Sequence, residues 1–80
     1  MKSIQILLEM ASQVKKFVNL VQGYSFEIDL RSDRYVVDAK SVLGIFSLDL
    51  SKPVNVEIHA DDGEIEQCDE LIEQLKEFAI

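Results

Sequence analysis

Eighty residues, 48% hydrophobic and 29% charged, make a chain for one globular domain near the lower size limit of a self-supporting core, with about 60% of its unfolded surface available for burial. The net charge of -7 excludes general binding to nucleic acid or to anionic membranes, both of which need Lys and Arg to release counterions. A lone cysteine, Cys68, forms no internal disulfide, no export signal opens the chain and no apolar run spans a bilayer, so a cytoplasmic protein is expected.

The segment "KSIQILLE" alternates, with Ile4, Ile6 and Leu8 on one side, and predicts a half-buried strand. From Met10 to Gln22 the period changes. Val14, Phe17, Val18 and Val21 recur at three and four, and Gly23 stops the helix. "SFEIDL" and "RYVVDA" alternate again around the turn-forming "RSDR". They predict a hairpin with Phe26, Ile28, Leu30, Tyr35, Val37 and Ala39 inward.

A second helix is predicted over Val42 to Leu50, and it is crowded with apolar side chains. Ile45, Leu48 and Leu50 form a stripe facing the sheet, which leaves Val42, Leu43 and Phe46 on the outer edge. Those three are either a docking surface for a partner or a roof over a small core. Ser41 precedes the helix as a cap, and Gly44 within it points to close packing.

Pro53 marks the exit. "VNVEIHA" then predicts a fourth strand with Val54, Val56, Ile58 and Ala60 inward and Asn55, Glu57 and His59 outward. "DDGE" is a turn. The last helix, Glu64 to Ile80, sets Ile65, Cys68, Leu71, Ile72, Leu75 and Phe78 on its apolar side. Cys68 reads as a core filler, and "DDGEIE" lacks the alternating acidic run of a calcium loop, so neither a metal nor a cofactor is expected. The order β-α-β-β-α-β-α, with one clean apolar face per strand, predicts an α+β fold in which a four-stranded antiparallel sheet carries three helices on one face.

That order, with "KSVLGIFSL" directly after the third strand, resembles the HPr family of histidine-containing phosphocarrier proteins of the bacterial sugar phosphotransferase system. Its second helix has the form K-S-[IV]-[ML]-G-[IV]-[ML]-x-L, matched here from Lys40 to Leu48. The upstream "VQGYSFEIDL" and the C-terminal helix align too, so the resemblance spans nearly the whole chain as one domain, residues 1–80, an open-faced β-sandwich. It breaks at the active-site loop G-[IL]-H-A-R-P-[AS]. Met10 stands at the histidine, Ser12 at the arginine and Gln13 at the proline, and only Ala11 survives.

A thioether cannot replace a nucleophilic imidazole. Met10 is therefore expected as an apolar plug ahead of the first helix, and His59 as an ordinary surface residue with no phosphate-binding arginine beside it in sequence. The resemblance implies that Val42, Leu43 and Phe46 lie on the surface that docks protein partners, either phosphotransferase-system or transcription-regulatory proteins. It also implies that Ser41 is a regulatory phosphorylation site, as in Gram-positive relatives. The expected function is a non-enzymatic, protein-binding regulatory relative of the phosphocarriers. The alternatives are a phosphocarrier with an unrecognised acceptor and a small domain that self-associates into a homodimer.

Overall fold

The alternating segments pair as their apolar faces dictate. In a computed structural model describing residues 1–80, strands β1 (Lys2–Ile6), β2 (Glu27–Ser32), β3 (Tyr35–Asp38) and β4 (Val54–His59) form one antiparallel sheet in the order β1-β4-β2-β3. The register sets Ile4 opposite Val56, Ile6 opposite Val54, Ile28 opposite Ile58 and Leu30 opposite Val56, so the inward residues of three strands meet on one face. Helices α1 (Ala11–Val21), α2 (Val42–Phe46) and α3 (Ile65–Leu75), with Leu8, Phe26, Ala39, Leu48 and Phe78 from the connecting and terminal segments, complete a cluster of 19 buried apolar residues. The α+β architecture expected from the sequence is the one observed.

Helix α1 buries Val14, Phe17, Val18 and Val21, and α3 buries Cys68, Leu71 and Leu75. A final 3-10 turn, Lys76–Phe78, places Phe78 edge-on against Phe17 with ring centroids 6.1 Å apart. Beyond it the chain runs beside β1. The Leu7 amide donates to the Phe78 carbonyl at 2.9 Å and Ile6 bridges to Ala79, which ends β1 before the predicted Leu8. Leu8 is buried nonetheless.

Four expectations need correction. The predicted helix from Val42 to Leu50 stops at Phe46, because local side chains take over the backbone. Ser47 Oγ donates to the Gly44 carbonyl at 2.5 Å, and Asp49 Oδ1 accepts from the Ser51 amide at 3.1 Å and its hydroxyl at 2.6 Å. The chain thereby turns toward Pro53 and β4.

The hairpin is tighter than "RSDR" suggested. Ser32 pairs with Tyr35, and Asp33 turns in the left-handed region at φ 52°. Tyr35, expected inward, is 67% exposed, since it sits at the tip of an edge strand beyond the helical cover. Ile65, expected on the apolar side of the last helix, lies exposed in its first turn; a 3-10 turn, Asp62–Glu64, precedes it and shifts the helix start.

Candidate functional site

The start of α1 is where the resemblance would put the phosphoryl acceptor, and Met10 occupies it as the extended N-cap residue at φ -129°, ψ 151°. Its side chain is 64% exposed, which corrects the expected plug. Leu8 and Val14 already fill the core on either side of this turn, and the extended cap directs Met10 outward. Gln13 folds back, its Oε1 accepting from the amides of Glu9 at 2.8 Å and Met10 at 2.9 Å. Residues 9 to 13 thus offer a thioether, a hydroxyl, an amide and a carboxylate, with neither an imidazole nor a guanidinium.

Helix α2 is built around Ile45, its one fully buried side chain, while Leu48 fills the core just past its end. Ser41 caps it, Oγ accepting from the Gly44 amide at 3.1 Å. A Cβ on Gly44 would stand 3.3 Å from Ser41 Oγ and 3.4 Å from Val37 Cβ, so the close packing expected of this glycine is present. The neighbouring Lys40 is committed elsewhere, its Nζ donating to the carbonyls of Tyr24 at 2.6 Å and Phe26 at 3.0 Å.

The three surplus side chains divide. Val42 is half-buried against the core, whereas Leu43 is 85% and Phe46 46% exposed. The Gln22 side chain donates from Nε2 to the Lys40 carbonyl at 3.4 Å, which links the end of α1 to the start of α2. At the opposite end a groove lined by Leu7, Glu9, Leu50 and Ser51 joins the approach to α1 with the segment after α2. Met10 at the start of α1 and Leu43 and Phe46 on α2 are exposed apolar residues.

On the other face of the sheet lies a cluster that the sequence reading passed over. His59 is exposed there, as expected, but its Nε2 stands 3.1 Å from Asp29 Oδ2. Arg31 donates to Glu57 at 2.8 and 3.4 Å. Those hydrogen bonds, then the opposite charge, hold the Glu57 carboxyl below and the Arg31 guanidinium above their ordinary values. The signal was the alternation of "EIH" opposite "EID", which sends Glu57, His59 and Asp29 to one side; it was overlooked because the residues lie thirty positions apart.

A third feature is a polar cleft of about 510 Å³ between α1 and α3, where the Tyr24 hydroxyl donates to Glu70 at 3.0 Å and accepts from Gln74 at 3.2 Å. Burial, then the bond to Glu70, raises the Tyr24 phenol above its usual range.

A family model described as the PTS HPr component phosphorylation site matches residues 10–79. Among solved structures, HPr-C-His from Thermoanaerobacter tengcongensis is similar with a TM-score of 0.74 and 29% identity, over 95% of this chain and 92% of that one. A phosphocarrier protein HPr from Bacillus anthracis str. Ames shares the fold at a TM-score of 0.69 and 24% identity, over 99% and 94% of the two chains. No curated protein sequence matches.

Proposed function

The chain belongs to the HPr family of the phosphotransferase system, and from that premise we propose that it is a protein-binding regulatory member which carries no phosphoryl group on histidine. The observation that carries the reading is the pairing of an exposed Met10 at the acceptor position with exposed Leu43 and Phe46 on α2. Phosphoryl transfer at the start of α1 needs a nucleophile matched to neutral pH and donors aimed at the phosphoryl oxygens. A thioether has no proton to exchange and Gln13 occupies the nearest amides.

The α2 face acts by contact instead. Exposed Leu and Phe side chains in adjoining positions desolvate on docking, and a central aromatic anchor contributes most to such interfaces. The partners are phosphotransferase-system or transcription-regulatory proteins, as the resemblance implies. Ser41 controls the contact: phosphorylation adds a charge of about -2 two residues before Leu43 and esterifies the Oγ that now accepts from the Gly44 amide.

Incubation with labelled phosphoenolpyruvate and the first enzyme of the phosphotransferase system tests the acceptor half of the reading. No acid-labile phosphate is expected, and stoichiometric label overturns it. Calorimetric titration with that enzyme and with the family's transcriptional partner tests the docking half. Native protein is expected to bind one of them, and Leu43→Asp with Phe46→Asp to lose about tenfold or more in affinity. Binding that ignores both substitutions refutes the α2 surface.

A further inference from the structure

The outer face of the sheet brings the only imidazole of the chain together with two carboxylates. Glu57 and His59 are alternate residues of β4, and Asp29 of β2 stands directly opposite Glu57. The pleat turns all three to the same side. His59 Nε2, one oxygen of Asp29 and one of Glu57 all lie within 4.8 Å of one another. We propose that these three side chains form a binding site for a zinc-like divalent cation.

The donor set selects the ion. One imidazole nitrogen and two carboxylate oxygens suit zinc, cobalt or nickel, whereas magnesium prefers an all-oxygen octahedron and keeps its water. A tetrahedral ion with ligands at about 2.0–2.1 Å has ligand-to-ligand edges of about 3.4 Å. The His59–Asp29 separation of 3.1 Å already approximates such an edge, and Glu57 reaches the third corner by a side-chain rotation. Water fills the fourth.

Electrostatics point the same way. Two carboxylates directly opposite each other across a strand pair repel, and Glu27, which faces His59 across the same pair, adds a third negative side chain. Arg31 is the one cation bonded within the cluster, and it engages only Glu57. It is thus the competitor: a bound metal displaces the guanidinium from an ion pair at the sheet surface, where solvent screens the attraction and the net stabilisation is small. Cys68, the softest ligand in the chain, is buried on the opposite face and takes no part.

Titration calorimetry with zinc chloride and untagged native chain is expected to show saturable one-to-one binding. His59→Gln is expected to weaken it about tenfold or more, since it removes one of three ligands. Arg31→Gln is expected to tighten it, because Glu57 is freed. Nitrogen-detected NMR of the native chain, independent of any variant's folding, is expected to show the His59 Nε2 signal moving in step with the heat. Absence of saturable binding, an affinity unchanged in His59→Gln, unchanged or weakened binding in Arg31→Gln, an unmoved Nε2 signal, or equal affinity for magnesium overturns the proposal.

Discussion

Ser41 shows how one hydroxyl serves both local structure and the proposed switch. Its Oγ accepts from the Gly44 amide in a helix of only five residues, too short to be stable without a cap and tertiary packing. Ser41→Ala leaves that amide without its partner and should cost about 1 kcal/mol, read as a lower urea midpoint with an unchanged slope. An unchanged midpoint would show that water substitutes for the cap. The substitution also removes the phosphorylation target, so stability and modification should be measured on the same variant. Met10 carries the opposite lesson at this scale: the sequence shows that a thioether stands where the family's histidine is expected, but its placement did not follow. Leu8 had already taken the buried position before the helix, a competition invisible in a linear pattern.

At the scale of elements, α2 divides into one buried anchor and two exposed apolar residues, and the division can be tested by truncation. Ile45 is fully buried among the core residues, so Ile45→Ala should cost about 2–5 kcal/mol. Leu43→Ala should stay within about 0.5 kcal/mol, since its side chain is almost wholly in water. Denaturant midpoints of the two variants check this, and comparable losses would mean that Leu43 packs and that the docking face is misassigned.

The inward stripe of this helix was legible because three-to-four spacing survives a change in helix length: Ile45 and Leu48 are buried although the helix ends between them. Its end was not legible. Ser47 and Asp49 bond to the backbone by geometry that apolar spacing does not encode. The inward face of each strand was readable for the same reason as the stripe, since a period of two fixes the face, and the β2–β3 hairpin followed from the turn between them. Tyr35 misled because an edge-strand tip escapes the helical cover that the pattern takes for granted. The grouping of Asp29, Glu57 and His59 needed the β2–β4 register, which the sequence leaves unspecified.

For the molecule as a whole, fifteen acidic side chains against eight basic ones leave a net charge of -7, and the charge state couples to stability in two opposed ways. At neutral pH like-charge repulsion burdens the compact state. The ion pairs that oppose it, including Lys2–Asp69, Lys16–Glu77 and Arg31–Glu57, are surface pairs, weakened by solvent screening and by the entropy of holding long side chains in place. Repulsion therefore dominates, and screening it with salt should stabilise the fold at pH 7 even though the same salt weakens the pairs.

Lowering the pH toward the isoelectric point near 4.5 should also stabilise at first, by neutralising surplus carboxylates. The sign then reverses. Glu57, held below its ordinary value by Arg31, and Asp49, held down by the Ser51 hydroxyl and amide, have folded-state values beneath their unfolded ones. Their contribution is complete above the unfolded value and disappears as pH falls through the folded one. Lys2, raised by its hydrogen bond to Asp69 and then by that charge, is raised with Arg31 far above this window and stays constant across it. The thermal midpoint should accordingly stay nearly level from pH 8 to about pH 6, climb as carboxylates begin to protonate toward the isoelectric point, and decline below about pH 4, and at pH 7 it should increase between about 20 and 200 mM sodium chloride. A midpoint that falls with added salt at pH 7 would show that the exposed ion pairs outweigh the excess of seven negative charges.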